Sequence, residues 1–435
     1  MDGASDLLQS NRLLRMPQPR IIGYGLTPLG RRLNQPAHVL MQRALNSALV
    51  SAGLKLDDLD GLVAVPSLSH PQFMEAHALA TRIGLLPRRT ERPVRVRTID
   101  TGGAGPVSAL LQAVSMVKHE NCQAVAIVAG DAVATLDTAE FLRRADGSLS
   151  SCSGLPSPAI PMGYGRVADD HIKAGIITRE HLAMTAVLMS RQSARHPLAL
   201  TRRPHTLADV LAAPTVAPHI GLLECARRAD GGAALIVASI GFLEGRRLDT
   251  EPLNEEGFGA FAATGGVTVL GGGEASGPFP PVSANQISES MFSCEDAARA
   301  AFSEAGVGPA DIGWWGLYDC FPICFLLAVE ACALVERGGA GRWVEACYDV
   351  TSDPTSYAPS SFPINTHGGL LAFGAPWEVP AMYSLIEACE QLTSRAGARQ
   401  VRGANHEPPL RALVYGNGGI FSHSSVAILE RGRRK

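Results

Sequence analysis

The chain states one pattern twice, and that repetition limits its fold more than any other feature. Ala52-Gly-Leu-Lys-Leu-Asp-Asp-Leu-Asp-Gly-Leu62 and Ala305-Gly-Val-Gly-Pro-Ala-Asp-Ile-Gly-Trp-Trp315 each follow an alanine-rich amphipathic segment, Leu40 to Ser51 and Glu295 to Glu304. Each segment ends in Ala-Gly, a helix-stop signal. Each then runs through a short acidic turn, with Asp58 and Asp311 at the same point, into an apolar strand. A second echo pairs Ile99-Asp-Thr-Gly-Gly103 with Ile364-Asn-Thr-His-Gly368, and a third pairs Ala124-Val-Ala-Ile-Val-Ala129 with Arg411-Ala-Leu-Val-Tyr415. Three echoes in one order predict two copies of a single α/β unit.

Residues 20–250 form the first unit, with a Gly-, Ser- and Pro-containing loop insertion at about 135–227 that has a few helices of its own, and residues 265–435 form the second. Leu248 to Phe261, rich in Glu and Gly, reads as the linker. A chain of 435 residues buries a large core. The net charge of −3 gives no footprint for nucleic acid or an anionic membrane. Apolar stretches break before the roughly 20 residues needed to span a bilayer. The first sixteen residues read as a loose leader and the closing basic run as a solvated tail. Nine cysteines lack a paired framework, and Cys320 and Cys324 face no second pair, so no metal site is expected. Such thiols fit a reducing cytoplasm.

The segment from Thr98 to Ala113 reads as a strand, a glycine turn and a helix. It sets a helix N-terminus, with unbonded N–H groups and the positive dipole end, beside the turn. Together with the two halves and the insertion, this resembles the thiolase superfamily, from about Ile21 to Glu430. The nearest branch is that of the sterol-carrier-protein-type thiolases and their lipid-transfer-protein relatives. Tyr318-Asp-Cys-Phe321 is similar to that branch's His-Asp-Cys-Phe motif; Leu326-Leu-Ala-Val-Glu330 and Glu336 to Glu345 match its continuation. Phe362-Pro-Ile-Asn-Thr-His-Gly-Gly-Leu370 matches the segment before the family's Gly-His-Pro turn, and Asp230-Gly231 before an apolar strand also fits. The resemblance implies the thiolase fold, a layered αβαβα core of two tandem halves. It also implies a homodimer with active sites near the interface, and a coenzyme A thioester as substrate with no further cofactor.

The departures from the family decide the chemistry. The nucleophilic cysteine's position is Gly103, a register set by Ala109 and Ala113. The Gly-His-Pro histidine is Ala375, the motif histidine is Tyr318, and the last glycine loop, Tyr415-Gly-Asn-Gly-Gly419, has no cysteine. Cys320 is the one thiol at a motif position. Acyl transfer through an acyl-enzyme needs a thiolate nucleophile, which Gly103 removes. A retro-aldol cleavage of a β-hydroxyacyl thioester needs only a base and a stabilised enolate, and some lipid-transfer-protein relatives that resemble this chain in having no cysteine and in having Tyr-Asp at this motif are steroid side-chain aldolases. Those relatives carry a second tyrosine near the Gly-His-Pro turn, where this chain has Ala375-Pro376-Trp377.

Tyr318 is therefore a candidate base or proton shuttle, Cys320 a candidate acid/base at the α-carbon, and His367 a group that polarises the thioester or pins its loop. Gly103, Gly105, Asn365, Gly368, Gly369 and Gly418 are expected to line the substrate site, with Gly103 and Gly105 offering N–H donors and His367 sharing the Gly103 pocket. Tyr318 and Cys320, two apart, are expected on one face of a strand, with Asp319 bracing a loop. Two other readings stay open: an acyltransferase with an unrecognised nucleophile, and a non-catalytic acyl-CoA-binding subunit. Relatives of this kind often pair with a small OB-fold protein bearing a zinc ribbon.

Overall fold

The computed structural model of the chain describes residues 18–87, 91–245, 261–278, 292–353 and 358–432, apart from the side chains of 148–153. The leader, nearly all of the linker and the last three residues of the basic tail lie outside the described residues, as does the Cys152 side chain.

Eleven strands are described: β1 (Arg20–Leu26), β2 (Gly61–Ala64), β3 (Arg95–Thr98), β4 (Ala124–Ala132), β5 (Thr215–Ala217), β6 (Ile220–Gly221), β7 (Asp230–Ala238), β8 (Val267–Ser276), β9 (Trp314–Gly316), β10 (Arg411–Gly418) and β11 (His423–Arg431). The helices are α1 (Ala37–Ala52), α2 (Glu75–Arg82), α3 (Gly105–His119), α4 (Thr138–Ser153), α5 (Ala159–Lys173), α6 (Arg179–Ser193), α7 (Leu207–Leu211), α8 (Ile240–Gly245), α9 (Cys294–Ala305), α10 (Pro322–Ala331), α11 (Ala340–Val350) and α12 (Pro380–Leu392).

Nine strands form one sheet in the order β3-β2-β4-β7-β1-β8-β11-β10-β9, with β5 and β6 apart. That order reads as a palindrome about the β1–β8 junction. In each half a parallel pair (β2–β4, β9–β10) adjoins an antiparallel pair (β4–β7, β10–β11). Ile364 bridges Trp315 in parallel, where β3 lies beside β2 in the first half. Residues between β4 and β7 carry α4 to α7 and the β5–β6 pair, whereas β10 passes to β11 through a short turn.

The local signals of the repeat have matching structural counterparts. Helices α1 and α9 both end on a left-handed glycine, Gly53 at φ 68° and Gly306 at φ 65°. In the turns that follow, Asp58 accepts from the Lys55 N–H at 2.7 Å and Asp311 from the Gly308 N–H at 2.9 Å. Both outer helices also sit unusually close to a strand. A Cβ on Gly23 would fall 2.5 Å from the Ala48 carbonyl oxygen of α1, and one on Gly271 would fall 2.6 Å from the Ala305 nitrogen of α9. Glycine at these strand positions is what lets the helix backbone approach.

Helices α3 and α12 pack on each other and on strands of both halves, between α1 on one outer side and α9 on the other. The result is the five-layer αβαβα arrangement. Strands β4 and β7, buried on both faces, account for continuous apolar runs such as Ala124–Ala129. No described helix is long and apolar enough to cross a membrane.

Candidate active site

Two glycine turns meet where the halves join. Gly102–Ala104 form a tight turn leading into α3, and Pro106 sits in the first helical turn, where its missing N–H costs nothing. A Cβ on Gly102 would lie 3.0 Å from Gly418 Cα, and one on Gly416 would lie 2.9 Å from Ala104 Cα. The 415–419 loop therefore lies backbone to backbone on this turn. The sequence offered Gly103 and Gly105 as donors. The Gly105 N–H is instead spent on the Gly102 carbonyl. That of Gly103, at the head of the turn, has no acceptor within it.

The space beside Gly103 is already filled. A Cβ built there would land inside the Tyr318 phenol and 2.5 Å from the Asn417 carbonyl oxygen. Tyr318 is 6% exposed. Burial, followed by the Cys320, Glu378, Cys324 and Asp319 charges, raises its pKa well above the phenol value. It is a proton donor near neutral pH, not the free base that the sequence allowed.

Strand β9 ends at Gly316, so Tyr318 and Cys320 are not strand residues as expected. They nonetheless interact with each other, while Asp319 turns elsewhere. Its carboxylate accepts from the Leu370 N–H at 2.8 Å and the Leu371 N–H at 3.4 Å. Burial raises its pKa to about 7, against the pull of those bonds. Asp319 thus braces the π turn Gly369–Phe373. The Cys320 thiol lies near Tyr164 and Cys324 and raises the pKa of both.

Three of the expected substrate-site residues do structural work. Asn365, fully buried, accepts from the Leu317 N–H at 2.9 Å and donates to the Leu317 carbonyl at 2.7 Å. Its amide is committed to the backbone just before Tyr318. Gly368 and Gly369, at φ 108° and 59°, admit the close approach of Ser193 and of the Asp319 carboxylate.

His367 corrects the expectation of one shared pocket. It opens on a cavity of about 400 Å³ with His196, Phe373, Tyr383, Glu387 and Arg399, and no residue of the Gly103 turn lines it. Nδ1 of His367 and the Tyr383 hydroxyl are buried without a partner among the described residues. Burial lowers the His367 pKa to about 4, with Arg399 adding to the effect and Glu387 opposing it. Arg399 donates to Glu387 at 2.9 and 3.1 Å. His196, Glu387 and Glu390 could gather about an ion. However, His196 Nδ1 accepts the Leu198 N–H, which leaves the proton of a neutral ring on Nε2, and Arg399 already neutralises the carboxylates. This donor set does not suit a metal.

Two residues escaped the sequence reading. Tyr164, on α5 of the insertion, donates to the Gly419 carbonyl at 2.8 Å and accepts from Asn417 at 2.7 Å, holding the glycine loop. Nothing local marks it in the sequence. Glu378 follows the Gly374-Ala-Pro376 turn. Oε2 of Glu378 is sealed from solvent with no hydrogen-bond partner among the described residues. Burial, then Asp100 and Asp131, raises its pKa to about 8. It is the lone charge between Leu370 and Met382, a signal that the sequence did carry.

A family model described as thiolase C-terminal domain-like matches residues 282–431. The acetyl-CoA acetyltransferase of Methanothermobacter thermautotrophicus is 27% identical over 415 residues, covering 94% of this chain and 99% of that protein. The chain is similar to the thiolase superfamily over nearly its whole length. Bovine sterol carrier protein 2, 27% identical over 249 residues, marks the branch; that match covers 57% of this chain and 42% of the bovine protein. Among solved structures, the Ltp2-ChsH2(DUF35) aldolase superposes with a TM-score of 0.74 at 21% identity, over 97% of this chain and 99% of that one. Human mitochondrial 3-ketoacyl-CoA thiolase in complex with CoA gives 0.68 at 13% identity, over 96% and 98%. In this thiolase-like chain, a phenol takes up the volume in which the family's nucleophilic thiol is expected.

Proposed function

We propose that the protein cleaves or forms a carbon–carbon bond β to a coenzyme A thioester by retro-aldol chemistry, without an acyl-enzyme. One observation carries this reading: the Tyr318 phenol occupies the space beside Gly103, so the site has a proton donor where a thiolase holds its nucleophile. In the cleavage direction the β-hydroxyl loses its proton, the Cα–Cβ bond breaks, and its electron pair forms the thioester enolate. The Gly103 N–H at the α3 start is placed to stabilise that oxyanion. Tyr318, held protonated by burial, delivers a proton to Cα. The products are a carbonyl compound and a shorter acyl thioester.

The Ltp2-ChsH2(DUF35) aldolase supports this reading, since its fold matches over nearly the whole of both chains and its name gives both the reaction and a second component. The second component of that aldolase supports a small OB-fold protein as a candidate partner; we further propose a cytoplasmic homodimer, as the thiolase resemblance implies. Incubation with 3-hydroxyacyl-CoA thioesters should release a carbonyl product and a shortened acyl-CoA, with no protein adduct by intact mass. A stable acyl adduct on any cysteine, lost together with activity when that cysteine is replaced, overturns the reading.

A further inference from the structure

The retro-aldol reading leaves one role unfilled, because Tyr318 is a donor and cannot also take the hydroxyl proton. The histidine of the family's Gly-His-Pro turn is Ala375 here, and three residues on stands the only charge of that apolar stretch. The chain reaches Glu378 through Trp377, which is held at φ 51°, a left-handed conformation that a bulky side chain rarely adopts. Phe141 packs edge-on against the Trp377 ring, with centroids 5.9 Å apart. Oε2 of Glu378 has no hydrogen-bond partner among the described residues although it is sealed from solvent. A buried carboxylate oxygen with no donor is costly unless something completes it. Glu378 also lies near enough to Tyr318 to help hold its phenol protonated.

We infer that Glu378 is a further catalytic residue of this site, the base that takes the β-hydroxyl proton of the thioester substrate, an inference that rests on the retro-aldol reading above. The substrate O–H proton passes to Oε2, the Cα–Cβ pair becomes the enolate, Tyr318 protonates Cα, and the Glu378 proton returns to the tyrosinate. The cycle balances without an oxidant, a reductant or water. The titratable groups facing Glu378 are Asp100 beyond β3, Asp131 on β4 and Tyr318 beyond β9. Among the described residues no cation offsets these charges. The proton affinity of Glu378 is consequently high, which suits a base for an alcohol.

The test compares cleavage with folding. Glu378→Gln should cut cleavage of 3-hydroxyacyl-CoA by roughly a hundredfold or more, while its melting temperature stays close to that of wild type. Wild-type cleavage should rise with pH through about 8, and that limb should vanish in the variant. Glu378→Asp should keep the limb at a reduced rate. Unchanged cleavage in Glu378→Gln, or a pH limb that survives in it, overturns this assignment alone. A wild-type protein that cleaves no 3-hydroxyacyl-CoA overturns the retro-aldol reading and the assignment with it.

Discussion

The Tyr318 hydroxyl stands where a Cβ on Gly103 would have to be. The two residues come from different halves of the chain, and each explains the other: glycine at 103 leaves the volume, and the phenol fills it. A thiolase nucleophile cannot simply be restored here. Gly103→Cys should show no acyl-enzyme and should lose about 1–3 kcal/mol of stability from overpacking. Adding Tyr318→Ala should recover much of that loss, a coupling that a double-mutant cycle of denaturant titrations reads directly. Additive effects would mean that the two sites do not compete for space.

Tyr318→Phe keeps the ring and removes the donor. Turnover should fall by roughly a hundredfold, as loss of acid/base help typically does, with the melting temperature nearly unchanged. Cys320→Ser should cost less, since serine keeps a proton-carrying group at that position. Steady-state kinetics of both variants decide between the two proton carriers. Full activity in both makes the motif structural.

Asn365 is expected to matter for folding before it matters for binding. Its amide is committed to the two backbone groups of Leu317, so Asn365→Ala strands a buried donor and a buried acceptor. The cost should be about 3 kcal/mol. Denaturant unfolding checks this; normal stability with weakened thioester binding would return Asn365 to the substrate site.

Acid should act on the fold through His367. Its folded pKa of about 4 lies below the unfolded value of about 6.5. Between those values the unfolded chain binds more protons, so this group's contribution is complete above about pH 6.5 and is lost as the pH falls toward 4. The full term is about 3 kcal/mol. His367→Phe should therefore lose less stability than wild type between pH 6.5 and 4.5. Burial pushes Asp319 and Glu378 in the opposite sense, favouring the fold as they protonate, so the comparison must be between variant and wild type. Equal pH slopes would show that His367 titrates alike in both states.

Much of the architecture was legible from residue order. The Ala-Gly helix stops, the paired Asp58 and Asp311 turns and the apolar runs of β4 and β10 are short-range signals, set by caps, turns and periodicity within a few residues. They suffice for two α/β halves and for a glycine turn that feeds a helix. The site was only partly legible. Its motifs identified Gly103 and Tyr318 as departures, but not that one fills the space of the other. The same sequence left open whether Asn365 faces a ligand or Leu317, and whether His367 opens on the Gly103 turn or on the Glu387–Arg399 cavity. It showed Glu378 as a lone charge, without the sealed oxygen that gives that charge a role. Such questions turn on which side chains meet across the two halves, and on which of them lose water when they do. Burial and partnership between residues distant in the chain arise only when the layers pack, so the tertiary structure alone decided them.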